Sequence, residues 1–196
     1  MRYNPLGFLG KFRKGSAIGN AAQVLSRIIM IESGTQAEAF ITFLYDDKKN
    51  EFTNDYENQI AITLEFTFLY NHVIDRISHN FLDDSMRAQL MNNIVACIAD
   101  NLVAVISKRQ TVPDTKKLWH TIIDGLNLMG EHYGQCRGLF NKDGESLKNT
   151  VFWEFGKNVA ELVSHPMDIK YIMKLIDLST QIFEKHDINQ IIKKLA

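Results

Sequence analysis

The chain has 196 residues, a formal net charge of −1, and 45% hydrophobic against 23% charged residues. That balance excludes a disordered chain and gives no overall attraction to nucleic acid or to an anionic membrane, so any such attraction has to be local. Only three prolines punctuate the chain, each where a helix would start, which favours long helices over many short strands.

Cys97 and Cys136 fall in segments that read as helices. Two thiols do not make a disulfide framework, and they point to a reducing compartment. Uninterrupted apolar runs such as residues 28–31 and 102–106 fall far short of the roughly 20 residues that span a bilayer. The N-terminus carries no continuous apolar segment of the secretory kind. The expected location is the cytoplasm, with peripheral contact to a membrane left open.

Residues 1–15 read as a basic, aromatic arm whose glycines at 7, 10 and 15 make it a poor helix. Residues 16–196 read as one helical domain. Ser16 is a good N-cap for a helix to about Ser33, with Gly34 as its left-handed stop. Residues 35–48 contain the strand-like AFITFLY, but their helical surroundings favour helix. A helix near 54–81 places Ile62, Phe66, Leu69, Tyr70, Val73, Ile77 and Phe81 on one arc. Asp83 or Asp84 caps the next, to about Lys108, whose apolar residues cover more than half its circumference, as expected of a central helix.

After the loop TVPD, a helix near 114–137 aligns Leu118, Trp119, Ile122, Ile123, Leu126, Met129 and Tyr133. Gly130, Gly134 and Gly138 follow at a spacing that would admit a second backbone. NKDGES is a turn. A helix near 146–164 buries Leu147, Val151, Phe152, Phe155, Val159 and Leu162, with Trp153 off that arc and free to be exposed. His165-Pro166 breaks the chain before a helix near 167–185, and Asp187 caps a short last one. The predicted fold class is all-α: a single-domain multi-helix bundle of about seven helices, mostly antiparallel neighbours.

Two groups of residues attract attention as candidate sites. Between Met1 and Ile31 the chain has five basic residues and no acid. Arg2, Lys11, Arg13 and Lys14 alternate there with Tyr3, Phe8 and Phe12, a combination suited to an acidic partner or a lipid interface. An organellar transit peptide has the same bias. The alternative is a metal-binding enzyme or carrier built on Glu65, His72, Asp75 and His79, which with Arg76 share one stripe of the 54–81 helix. That stripe lies opposite the apolar arc, where a solvated or ion-paired face belongs, and the chain has no Glu-x-x-His. The i,i+4 pairs His132/Cys136 and Glu161/His165 lack the further ligands that zinc requires.

No phosphate loop, nucleophile elbow or zincin motif is present. No cofactor is favoured. The expected function is a non-enzymatic interaction or regulatory module whose arm meets an acidic partner or membrane surface. The partner is expected to be a protein, a second copy of the chain included, and not nucleic acid.

Overall fold

A computed structural model describes residues 16–47, 56–109, 111–140 and 147–196. The arm, with Arg2, Tyr3, Phe8, Lys11, Phe12, Arg13 and Lys14, lies outside the described residues. Among them the fold is all-α, with helices α1 (Ala17–Asp46), α2 (Tyr56–His79), α3 (Asp84–Arg109), α4 (Thr115–Gly134), α5 (Val151–Leu162), α6 (Ile169–Lys185) and α7 (Ile188–Lys193). The extended pairing described is an isolated parallel bridge between Gly138 and Thr150.

The chain forms two compact units. The first draws on the described residues within Met1–Met30, Asn71–Glu131 and Asp187–Ala196, the second on those within Ile31–Tyr70 and His132–His186. In the first unit α3 buries Leu90, Met91, Ile94, Val95, Ile98, Ala99, Leu102 and Ile106. Its own aspartate starts it: the Asp83 carboxylate accepts a hydrogen bond from the Met86 N–H at 2.8 Å. Averaged over a window and not counted as an unbroken run, α3 is long and apolar enough to cross a membrane by length and composition, although 56% of that window is buried within the protein. Asp114 caps α4 in the same way, accepting from the Lys117 N–H at 2.9 Å.

The second unit is built on aromatic packing. Phe66 of α2 meets Phe155 of α5 edge-on at 4.8 Å, and Phe140 stacks on Phe152 at 4.5 Å. α5 and α6 approach closely at Gly156, where an added Cβ would lie 2.9 Å from Ile172 Cγ2 and 3.3 Å from its Cα. Glu32 is buried and satisfied by Gln36, Lys185 and His186, the last at 2.9 Å. Burial raises its pKa, but those hydrogen bonds outweigh it and hold the carboxyl below its ordinary value.

Several expectations change. Gly34 does not stop α1, which runs on through 35–46 as helix. The continuation buries Phe40, Ile41 and Leu44. Each contributes about 1.5–3 kcal/mol, against about 1 kcal/mol for a helical glycine. α4 ends at Gly134, so Cys136 sits in the turn after it, where its N–H bonds the Tyr133 carbonyl at 3.1 Å. A Cβ at Gly134 would meet nothing, so the close backbone approach belongs to Gly156. α5 begins at Val151, with Thr150 as N-cap. Leu162 is exposed and Trp153 is buried, at 6% exposure.

Candidate functional site

The sequence after α4 does not continue the helix, and three consequences of that define a pocket. The strand-like segment at Arg137 and Gly138 pairs with 149–151: the Arg137 N–H donates to the Asn149 carbonyl at 3.1 Å and the Val151 N–H to Gly138 at 2.9 Å. This pairing puts Asn149 in the left-handed region, at φ 62°, a conformation asparagine tolerates better than most residues. Thr150 then starts α5, presenting Trp153, Glu154 and Lys157 from successive positions of its first turns.

The far wall comes from the α5–α6 corner. α5 closes with the His165 N–H donating to the Ala160 carbonyl (2.8 Å) and the Ser164 N–H to Glu161 (3.0 Å). This is the Schellman arrangement, with Ser164 at φ 62° in the position glycine usually holds. A turn follows at once. The Asp168 N–H donates to the His165 carbonyl at 3.2 Å across Pro166 and Met167, with Met167 at φ 60°. Proline then a left-handed residue is the pattern of a type II turn, whose third position favours glycine or asparagine. Methionine there is strained.

Together these segments enclose an open pocket of about 430 Å³ in the second unit, lined by His132, Gln135, Cys136, Lys148, Asn149, Trp153, Glu154, Lys157 and Met167. Trp153 supplies an apolar wall. Lys148 is exposed, and Lys157 is held by Glu154 at 2.6 Å. Two lysines against one glutamate leave a cationic balance, and the amides of Gln135 and Asn149 can bond a peptide backbone or a carboxylate. Behind the pocket helices, Tyr133 is fully buried and its hydroxyl donates to Glu65 at 3.4 Å. Burial pushes the Glu65 carboxyl up to about 7, against the opposing hydrogen bonds of Tyr133 and Asn158. The Tyr133 hydroxyl is raised by burial and by Glu65.

The residues expected from the sequence fall elsewhere. His72, Asp75 and His79 lie in the first unit, whereas Glu65 lies in the second. The stripe is not a solvated face, because His72 and Asp75 are buried. Arginines occupy it. Arg87 donates to both Asp75 oxygens, Nε and Nη2 each at 2.8 Å, and also approaches His79 Nδ1 at 3.3 Å. Arg76 Nε donates to His72 Nε2 at 2.8 Å, which requires a neutral imidazole with its proton on Nδ1. Burial, then Arg76, lowers the His72 pKa to about 4. Among the described residues no three His, Cys, Asp or Glu side chains group to hold a metal ion.

Sequence reasoning missed Lys148, Asn149, Trp153 and Met167. The available signals were a tryptophan off its helix's apolar arc and a methionine immediately after Pro166. His132 and Cys136, read as an incomplete ligand pair, are both pocket residues. Comparison with known proteins adds no relative: no family model, no curated protein and no solved structure matches the chain.

Proposed function

We propose that this protein is a non-enzymatic helical interaction module whose pocket in the second unit takes an acidic and apolar segment of a protein partner. Met167 carries the reading. It occupies a turn position that favours glycine, and its side chain is 52% exposed. Core packing therefore does not account for a long side chain at that position, and strain of this sort is concentrated at binding sites. Its thioether and Trp153 suit an apolar side chain, while Lys148 and Lys157 suit a neighbouring carboxylate. The pocket has room for one or two side chains of a ligand.

Calorimetric titration with a short peptide alternating Asp and Phe tests it. Saturable binding is expected, weakened by salt and absent for the Asn counterpart of the peptide. Lys148→Ala is expected to weaken binding several-fold, in keeping with an exposed charge worth up to about 1 kcal/mol. No saturable heat, or equal affinity in Lys148→Ala, would overturn the reading.

The acid-free composition of residues 1–31 favours a second contact, in which Arg2, Lys11, Arg13 and Lys14 meet an anionic surface and Tyr3, Phe8 and Phe12 anchor there. Flotation with anionic vesicles, salt-sensitive and lost when residues 1–15 are removed, is its expected signature; flotation unchanged by that removal contradicts it.

A further inference from the structure

α6 buries Tyr171, Ile172, Leu175, Leu178, Ser179 and Ile182. At about 100° per residue, the arc that borders the buried face beside Ile172 carries Ile169, Met173, Ile176 and Thr180. A helix of this kind is ordinarily polar there. Ile169 is instead 54% exposed and Met173 44%, with Ile176 half-buried between them and the core side. Beside this stripe runs a flank with a definite order of charge: Lys170 and Lys174 toward the N-terminus, then Asp177, then Glu184.

We propose that this face of α6 pairs with the same face of a second copy of the chain, antiparallel about a two-fold axis beside Met173. The argument is the self-complementarity of the pattern. Placing Met173 against the second copy's Met173 brings Ile169 and Lys170 level with its Asp177 and Ile176. On the two sides of the seam Ile169 then meets Ile176 and Lys170 meets Asp177 with an offset of about one residue, and the axis repeats each contact. Parallel pairing would put lysine on lysine and aspartate on aspartate. Both side chains are exposed, Lys170 at 55% and Asp177 at 66%. Lys170 bonds Asp47 at 2.7 Å with one of its three donors and lies over the Phe43 ring at 5.2 Å. Asp177 is exposed and meets Lys174 only at 3.4 Å. The inference does not depend on the pocket, whose lining on this side ends at Met167.

Sedimentation velocity of the full chain over a rising concentration series tests it, together with two variants. The wild type is expected to shift from monomer to dimer, and Met173→Glu to weaken association at least about tenfold. Met173→Cys is expected to form a disulfide-linked dimer under mild oxidant, whereas Val105→Cys, equally exposed in the first unit, is not. Lys148→Ala is expected to dimerise as the wild type does, which separates this surface from the pocket. A chain that stays monomeric throughout would overturn the proposal, as would equal cross-linking through Cys at 105. Binding to neutral vesicles that Met173→Glu removes would also overturn it, by assigning the face to lipid.

Discussion

Gly156 of α5 lies against the backbone of Ile172 of α6, so close that a Cβ at 156 would stand 3.2 Å from the Ile172 carbonyl oxygen. The Ile172 Cγ2 methyl stands nearer still, at 2.9 Å, but moving it alone leaves the backbone oxygen and Cα in the way, so the two helices would have to separate. Gly156→Ala is expected to destabilise the protein by about 1–3 kcal/mol, the range for an overfilled core. Gly34→Ala, in the middle of α1 with nothing within reach of a Cβ, is expected to stabilise by about 0.5–1 kcal/mol. Urea denaturation of the pair checks both signs.

Met167 and Ser164 are both left-handed, but only Met167 lines the pocket. Replacing either with glycine removes the strain of an L-residue there, roughly 1–2 kcal/mol, partly offset by the greater freedom of the unfolded chain. Ser164→Gly is expected to raise the denaturation midpoint and leave peptide affinity unchanged. Met167→Gly is expected to keep or raise stability and to lose peptide affinity. Equal affinity in both variants would remove the functional reading of Met167.

Glu65 titrates near 7 in the folded chain against an ordinary value of 4.5. Between those values the folded state binds more protons than the unfolded one, so stability falls as pH rises through the window. Its contribution is whole below about pH 4.5 and lost above about pH 7. Glu65→Gln keeps an oxygen acceptor for Tyr133 and has no charge to bury. Its gain in thermal midpoint over wild type is expected to be small at pH 4 and largest at pH 8.

His72 has the opposite sign. Its folded pKa is about 4 against 6.5, so the unfolded state takes up a proton first on acidification. The stability it supports is whole above pH 6.5 and declines as pH falls toward 4, by on the order of 3 kcal/mol at most. His72→Gln, which retains an acceptor for Arg76, is expected to flatten this acid limb; an unchanged limb in chemical denaturation at pH 4–7 would contradict the assignment.

The helices were legible in the sequence because periodicity and caps act locally. Asp187 caps where its sequence context predicts, and of the two aspartates offered for α3 it is Asp83 that caps. Gly34 misled because its cost is local and the burial of Phe40 and Leu44 that overrides it is not. The stripe of His72 and Asp75 misled for a related reason. Helical angle reports a face, not whether Arg87, on the next helix, covers it. The pocket was least legible, because it depends on three left-handed residues that no periodic pattern announces and on the pairing of Gly138 with Thr150 across a turn.

The central claim is that the pocket beside Met167 is where a partner segment binds. The most direct measurement follows labelled methionine methyl and tryptophan indole signals by NMR while the acidic–apolar peptide is titrated in. The account predicts that Met167 and Trp153 shift together and saturate with one dissociation constant, while Met173 and Trp119 stay in place. Shifts centred on Trp119 or Met173, or none that saturate, would contradict it.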